Sequence, residues 1–309
     1  MEIKTITIIG QGALGILFGS QLAKHLGNQN VRFLADRERI DRYQKEGIFC
    51  NGEKCDFTYI TPDMQGNPAD LLIFAVKYPA LHQAIRDAKN QVGDKTIILS
   101  LMNGITSEQL IGDTYGMDHM LYCVAQGMDA TRTGNQLVYS SAGLLEFGEL
   151  DNTLSEKVKA VVTLFKKADI QYHIPEDMNR IMWKKFMLNV GVNQVTAAFN
   201  SDYGAVQAEG EQRDTMIAAM REVIQIANRK GIHLTEEDIQ YWLNVLDGFK
   251  PELMPSMRQD TAAKRKTEVE LFSGAMIRMG KELDVPVPVN EMLYKKIREI
   301  ESAYGPGIK

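Results

Sequence analysis

Residues 6–19 have the sequence Ile6-Thr7-Ile8-Ile9-Gly10-Gln11-Gly12-Ala13-Leu14-Gly15-Ile16-Leu17-Phe18-Gly19. The β-branched apolar run that ends at Gly10 is typical of a buried strand. Three glycines follow in G-x-G-x-x-G spacing, and the apolar period that begins at Leu14 predicts a helix. A strand, a tight turn and a helix in this order are typical of a dinucleotide-binding unit.

Each glycine of this loop has its own physical role. Gly10 allows a sharp turn, Gly12 carries no Cβ that would hold a pyrophosphate away, and Gly15 lets the helix pack closely. The N–H groups at the helix start then favour an anion. With 25 glycines in the chain the spacing alone also arises by chance. Its position directly after the first strand favours a dinucleotide site made by Gly10, Gln11, Gly12, Ala13, Leu14 and Gly15.

The composition indicates an ordinary globular protein. A length of 309 residues suggests about two domains, and 44% hydrophobic with 24% charged residues is typical of folded chains. The formal net charge is −5 and no Lys/Arg block stands out, which argues against a nucleic-acid partner.

Cysteine and histidine positions give no sign of a metal site. The three cysteines (Cys50, Cys55, Cys123) lack C-x-x-C spacing, and the five histidines lack ligand spacing. We therefore expect reduced thiols and no metal. The N-terminus lacks the pattern of a secretion signal and no apolar run is long enough for a bilayer, so we expect a cytoplasmic protein without a membrane partner.

The residues after the second predicted strand, 30–35, bear on the choice of cofactor. An acid at this point accepts hydrogen bonds from the 2′-hydroxyl of the adenosine ribose, whereas an arginine favours a 2′-phosphate. Asp36 and Arg37 give both signals, and we predict that both contact the cofactor. A second interpretation is that Asp36 caps the helix beginning near Glu38.

Further strands complete the first domain. Segments 48–50 and 57–60 predict a hairpin around Asn51-Gly52. The apolar runs 70–77 and 96–102 predict parallel strands with Lys77 and Asn103 at their carboxyl ends, where open α/β sheets bind ligands. Strands at 120–124, 137–141 and 144–147, a helix at 155–168 and a strand at 171–174 follow. We expect residues 1–175 to form an α/β Rossmann-type dinucleotide-binding domain.

Helical patterns alone occupy the remainder of the chain. They predict helices over residues 177–199, 209–230, 235–246, 258–282 and 290–303. We therefore expect residues 176–309 to form an all-α C-terminal domain.

The first of these helices carries a polar stripe. Lys185, Asn189 and Asn193 are spaced by four residues, so they fall on one face of an otherwise apolar helix. Polar groups in apolar surroundings cost free energy unless they are paired or face a ligand. By spacing alone, a functional stripe and a solvated face on an amphipathic helix are both open.

These elements together resemble the ketopantoate reductase family, whose members reduce 2-dehydropantoate to pantoate with NADPH on the route to pantothenate and coenzyme A. The resemblance extends over nearly the whole chain. It is carried by the glycine loop, Val76-Lys77, Asn103-Gly104, Trp183-Lys184-Lys185 with Asn189 and Asn193, Pro255-Ser256-Met257-Arg258-Gln259-Asp260, and Thr267-Glu268.

The resemblance implies roles for individual residues. Lys185 matches the catalytic lysine and Glu268 the carboxylate that works with it. Asn189, Asn193 and Ser256 match substrate-binding positions, and Lys77 and Asn103 match positions beside the nicotinamide and substrate. An ammonium stabilises the alkoxide that forms when a ketone is reduced and donates a proton to it, and a nearby carboxylate would orient Lys185 and favour its charged form.

Alternatives exist for several of these residues. Lys184 is expected off the stripe and solvated, Glu268 also suits an i,i+4 surface pair, and Ser256 also suits a helix cap. Two positions depart from the family pattern: Asp36 stands where many members have an arginine, and Tyr203 where many have an asparagine.

The resemblance implies NADP(H) as cofactor, and Asp36 leaves NAD(H) as an alternative. The predicted substrate is a small 2-keto acid, either ketopantoate or another branched 2-keto acid. A dinucleotide sensor without catalysis is a further alternative, and the helical domain offers a surface for a homodimer.

Overall fold

The computed structural model describes residues 2–304, which form two compact units. Unit 1 holds the chain up to Met102 together with Ser107–Met178. Unit 2 holds Asn103–Thr106 and the chain from Asn179 onward, so the short segment after the strand ending at Ser100 belongs with the helical part.

The strands, all in unit 1, are β1 (Ile6–Ile9), β2 (Val31–Leu34), β3 (Phe49–Cys50), β4 (Glu53–Lys54), β5 (Thr58–Ile60), β6 (Leu71–Phe74), β7 (Ile97–Ser100), β8 (Met120–Met128), β9 (Thr131–Thr133), β10 (Gln136–Val138), β11 (Ala142–Gly148) and β12 (Tyr172–His173).

The helices are α1 (Ala13–Leu26), α2 (Arg37–Glu46), α3 (Tyr78–Asp87), α4 (Ser107–Tyr115), α5 (Glu156–Lys167), α6 (Met178–Leu188), α7 (Gln194–Phe199), α8 (Tyr203–Gln207), α9 (Glu211–Arg229), α10 (Glu236–Asp247), α11 (Ser256–Ala262), α12 (Ala275–Leu283) and α13 (Pro288–Ser302). Short 3₁₀ turns cover Asn28–Asn30, Ala88–Gln91 and Met117–His119. Two segments are π-helical: the first π turn (Asn189–Asn193) and the second π turn (Glu270–Gly274).

Unit 1 is built on an eight-stranded sheet with the order β12-β11-β8-β7-β6-β1-β2-β5. All its pairs are parallel except β8 with β11. After β1 the chain adds β2 and then β5 on one side of β1. It then crosses over and adds β6 and β7 on the other side, so the direction of strand addition reverses beside β1. Ligands of open α/β sheets bind at such a reversal, beyond the carboxyl ends of the strands. This is the Rossmann-type arrangement that the sequence predicts.

The predicted hairpin at Asn51-Gly52 has a different second strand. Both turn residues have positive φ (48° and 82°), which closes a two-residue turn, and β3 pairs with β4 immediately after it. The strand predicted at 57–60 instead pairs in parallel with β2. Its apolar residues bury themselves there, since the ring of Phe57 lies 4.4 Å from that of Phe33.

Unit 2 is helical, as predicted, but two of its expected helices are interrupted. The first π turn separates α6 from α7. The pattern over 258–282 predicts one helix, yet α11 ends at Ala262 because Lys264 is left-handed (φ 52°) and Arg265 N donates back to Asp260 O (2.8 Å). Residues 263–269 are therefore not α-helical, and Glu268 lies between two helices rather than on one.

Candidate active site

The glycine loop of unit 1 has the geometry that its sequence predicts. Gly10 has φ +102°, and a Cβ there would lie 2.4 Å from Ala75 O. A Cβ on Gly15 would lie 1.9 Å from Gly10 O, so only glycine lets α1 pack this closely. A Cβ on Gly12 would meet a single atom, Ala75 O, at 3.8 Å. The backbone at Gly12 is therefore open enough for a phosphate group to approach it closely.

The start of α1 is suited to an anion. Its N-cap, Gly12, supplies no side-chain hydrogen bond, and its first turn contains no acid. Beside it, Gln11 Nε2 donates to Tyr59 Oη (2.8 Å), while Gln11 Oε1 is buried without a hydrogen-bond partner among residues 2–304. An unpartnered buried acceptor and a free helix start both fit a bound dinucleotide, since its ribose hydroxyls donate and its phosphates accept.

Asp36 caps α2 in this structure. Its Oδ1 accepts a hydrogen bond from Arg39 N (2.8 Å), and Oδ2 lies 3.3 Å from Arg39 Nε. Arg37 begins the helix and pairs with Asp41 (3.4 Å). The side chains of Asp36 and Arg37 are both well exposed, so capping and contact with a ribose are compatible roles for Asp36.

Lys77 is the N-cap residue of α3, three residues beyond the end of β6. Its exposed position follows the carboxyl end of the strand next to β1. It lies on the ligand-binding edge of the sheet, where the sequence predicts a residue beside the cofactor.

Lys185 lies in unit 2 near the end of α6, among apolar residues. Its Nζ is 5.9 Å from the ring centroid of Trp242, and this ring is fixed because Trp242 Nε1 donates to Lys184 O (2.8 Å). Burial lowers the pKa of Lys185 to about 8. The family resemblance implies a nearby carboxylate that favours the charged form of Lys185. Here the shift has the opposite direction, because desolvation acts without a compensating charge.

Lys184, the neighbour of Lys185, is not solvated as expected. Its Nζ lies 3.7 Å from Asp238 Oδ1 and 3.4 Å from the ring centroid of Tyr241. Arg180 binds the same carboxylate at 2.7 and 2.9 Å. Lys184 therefore joins α6 to the start of α10, a structural role that separates it from Lys185.

Asn189 and Asn193 are the first and last residues of the first π turn. They are almost fully buried (2% and 7% exposed), and Asn193 Nδ2 donates to Asn189 Oδ1 (3.0 Å). Asn189 Nδ2 and Asn193 Oδ1 have no hydrogen-bond partner among the described residues. One buried donor and one buried acceptor are thus available for a ligand with matching groups. π turns within α-helices occur often at functional sites, and this one replaces the regular helix that the sequence predicts.

Asn103 and Glu268 are brought together by unit 2 although 165 positions separate them. Asn103 Nδ2 donates to Glu268 Oε2 (3.0 Å). The preceding Thr267 is anchored by its N and Oγ1, which both donate to Glu301 Oε1 of α13 (2.7 and 2.6 Å). Because residues 264–268 are not helical, the alternative of an i,i+4 pair for Glu268 does not apply.

Ser256 is the first residue of α11 and does not cap it, since Pro255 is the N-cap residue and no side-chain cap is formed. The serine is exposed, and α11 packs on α7 and on the first π turn. Tyr203 begins α8, where its N donates to Leu253 O (3.0 Å) and its ring lies 5.0 Å from that of Phe249. Burial raises the pKa of Tyr203 to about 12.

Gln194 is a buried residue of the site that its sequence pattern did not indicate. It is fully buried and follows the first π turn directly. Its Oε1 accepts hydrogen bonds from N and Oγ of Ser273 in the second π turn (3.0 and 2.5 Å). Its Nε2 donates to Val190 O (2.9 Å) and to Asn290 Oδ1 (3.2 Å). Gln194 thus links the turn that carries the asparagines to the segment after Glu268. The only sequence signal was an amide inside an apolar run.

The described part of the chain has neither a membrane-spanning helix nor a cluster of metal ligands. None of the helices within residues 2–304 is both long and apolar enough to cross a membrane. In the same range, no three His, Cys, Asp or Glu side chains lie together in a way that could hold a metal ion.

Comparison with known families places these two units. Residues 6–152 match the family described as ketopantoate reductase PanE/ApbA, and residues 177–301 match ketopantoate reductase PanE/ApbA C terminal. The chain belongs to the ketopantoate reductase family. As a member it is an oxidoreductase that acts on a CH–OH group with a nicotinamide dinucleotide.

Individual relatives agree with this placement. A 2-dehydropantoate 2-reductase of Archaeoglobus fulgidus is 26% identical over 309 residues, covering 98% of this chain and 99% of the relative. Among solved structures, D-mandelate dehydrogenase with NADH and anilino(oxo)acetate has a TM-score of 0.87 at 21% identity, covering 97% and 99% of the two chains. A dimeric ketopantoate reductase from Staphylococcus aureus has a TM-score of 0.82 at 18% identity, covering 97% and 100%. At these identities the two structures support the reductase fold.

Proposed function

We propose that this protein reduces 2-dehydropantoate to pantoate with NADH or NADPH, in the synthesis of pantothenate and coenzyme A. The observation that carries the proposal is the combination, in one helical segment, of the half-buried Lys185 with two asparagines whose amides retain an unpartnered donor and acceptor among the described residues. The names of the curated relatives point to the same substrate.

Unit 1 is proposed to hold the dinucleotide. The residues Gly10, Gln11, Gly12, Ala13, Leu14 and Gly15 fit the pyrophosphate, and Asp36, Arg37 and Lys77 lie on the same edge of the sheet. When bound, a reduced nicotinamide supplies the hydride for the 2-keto carbon.

Unit 2 is proposed to bind the keto acid and supply the proton. Asn189 Nδ2 donates to a substrate oxygen, Asn193 Oδ1 accepts from the substrate hydroxyl, and Ser256 and Asn103 bind at its margins. The Lys185 ammonium stabilises the negative charge that develops on the carbonyl oxygen and gives it a proton. A pKa of about 8 suits this task, because the proton is held near neutral pH but readily released. Glu268 is proposed to assist through its contact with Asn103.

Reduction of another 2-keto acid is a second candidate function, favoured by Tyr203. Where many members of the family have a substrate-binding asparagine, this chain has a half-buried aromatic ring packed on Phe249. A larger apolar wall would accommodate a different side chain on the substrate. The similar structure of D-mandelate dehydrogenase holds anilino(oxo)acetate, an aromatic ligand, which fits this alternative.

Steady-state kinetics separates the two functions. The purified protein is assayed with 2-dehydropantoate, 2-ketoisovalerate and phenylglyoxylate, each with NADH and with NADPH. We expect the highest kcat/KM with 2-dehydropantoate, and a higher kcat/KM with either other acid would contradict that substrate. A sensor without catalysis would turn over none of the three, although calorimetry would still detect dinucleotide binding. Gel filtration with light scattering tests the proposed homodimer.

A further inference from the structure

Arg132 reaches the glycine loop from a part of unit 1 that lies outside the dinucleotide motif. It belongs to β9 in the small sheet with the order β4-β3-β10-β9, and β10 of that sheet packs on α1. Its Nη1 donates to the backbone oxygen of Gln11, and its Nε donates to Gly134 O (2.9 Å). A cation is thereby fixed beside the second residue of the loop, 121 positions away in sequence.

The guanidinium of Arg132 has N–H groups that are available for a ligand. Of its five N–H groups, two bind the oxygens of Gln11 and Gly134, and the other three have no partner among residues 2–304. The neighbouring Gln11 Oε1 is buried and equally unpartnered. Arg132 is half-buried, so its side chain is ordered by the two carbonyls yet open to a ligand.

The charge of the dinucleotide matches these donors. A pyrophosphate carries two negative charges, while the start of α1 offers only the partial charges of its N–H groups. A guanidinium whose remaining N–H groups are unpaired binds phosphate oxygens in a fixed geometry. We propose that Arg132 binds a phosphate group of the dinucleotide at the glycine loop, as a cofactor-binding residue outside the motif. The inference rests on the proposed function, since it assumes that unit 1 holds this cofactor.

The test measures binding without turnover. Wild type, Arg132→Gln and Arg132→Lys are titrated by calorimetry with NADH, NADPH and ADP-ribose, without keto acid, at low and moderate salt. Glutamine can still donate to Gln11 O but has no charge, whereas lysine keeps the charge. Lys24→Gln, near the far end of α1, is the control for loss of one positive charge from the same unit.

We expect Arg132→Gln to weaken binding about tenfold, Arg132→Lys to weaken it less, and Lys24→Gln to leave it unchanged. The salt dependence of the dissociation constant should also become shallower in Arg132→Gln. A loss for all three ligands identifies the pyrophosphate as the group bound, and a loss for NADPH alone identifies the 2′-phosphate.

Other results overturn the inference. Arg132→Gln with wild-type affinity for every ligand removes Arg132 from the cofactor site. Equal losses in Arg132→Gln and Arg132→Lys, with an unchanged salt dependence, assign Arg132 only to holding the Gln11 carbonyl. If the wild-type protein binds none of the three ligands, the proposed function fails as well, which distinguishes that failure from the first two.

Discussion

Asn193 Nδ2 donates a hydrogen bond to Asn189 Oδ1 (3.0 Å) across the first π turn. The other polar atom of each amide, Asn189 Nδ2 and Asn193 Oδ1, has no hydrogen-bond partner among the described residues. Unsatisfied buried polar atoms cost about 1–3 kcal/mol each, so the pair reduces the stability of the ligand-free protein. A substrate that supplies one acceptor and one donor removes that cost on binding.

We therefore expect Asn189→Ala and Asn193→Ala each to raise KM for the keto acid at least tenfold, with little loss of thermal stability. Asn228 is a matched control, because both ends of its amide bind the backbone of Leu234 (3.0 and 3.2 Å). Asn228→Ala should lower the free energy of unfolding by about 1–3 kcal/mol and leave KM unchanged. Kinetics and thermal melts measure both effects, and an unchanged KM in the first two variants contradicts substrate binding by the pair.

The pKa of Lys185 predicts how activity depends on pH. The ammonium is the proton donor, so kcat/KM for reduction should fall as pH rises through about 8, and the reverse oxidation should gain over the same range. Lys185→Met should lower kcat about 10²–10⁴-fold without weakening dinucleotide binding. The adjacent variant Lys184→Met should keep the pH profile but lose about 1 kcal/mol of stability with its Asp238 and Tyr241 contacts. A wild-type pH profile in Lys185→Met rules out this donor.

The same residue should affect stability in a defined pH window. Its folded pKa of about 8 lies below the ordinary value of 10.5, so the unfolded chain binds more protons between these two values. The contribution of Lys185 therefore makes the free energy of unfolding rise with pH from about 8 to 10.5. Denaturant titrations of wild type and Lys185→Met should diverge across that window, and parallel curves would indicate that the ammonium is not desolvated.

Asp36 can be tested with one variant that keeps the cap and one that does not. Serine caps helices nearly as well as aspartate, whereas alanine loses about 1 kcal/mol. Asp36→Ser should therefore keep stability and Asp36→Ala should reduce it. If the carboxylate also contacts the ribose, both variants weaken NADH binding more than NADPH binding. Wild-type affinities in Asp36→Ser would show that Asp36 is only a cap.

Gln194 is expected to position the site rather than to touch substrate. Gln194→Met keeps the volume but removes the acceptor of Ser273 N, and it leaves Ser273 Oγ and Asn290 Oδ1 only their contact with each other (3.2 Å). We expect kcat to fall and KM to rise together, because both π turns lose their link, and the free energy of unfolding to fall by about 1–3 kcal/mol. Gln194→Glu, which keeps the acceptor for Ser273, should recover part of kcat. A loss of stability with unchanged kinetics would assign Gln194 to the core alone.

The sequence by itself determined the Rossmann-type sheet and the helical second part, and it predicted which residues carry the chemistry. These follow from local rules: the spacing of Gly10, Gly12 and Gly15 fixes a turn, and apolar periodicity fixes strands and helices. In the folded chain a Cβ on Gly10 would clash with the backbone of Ala75, and a Cβ on Gly15 would clash with the oxygen of Gly10.

Only the tertiary structure decided which hydrogen-bond partners those residues have and how far they are buried. Helical periodicity gave no sign of the first π turn, in which Gly191 packs so closely on Met220 and Met216 of α9 that a Cβ would lie 2.7 Å from Met220. The lowered pKa of Lys185 arises from burial, and the contact of Asn103 with Glu268 joins residues 165 positions apart. Desolvation and hydrogen bonds between distant segments depend on which parts of the chain pack together after folding. Neither can be inferred from the local periodicity of the sequence.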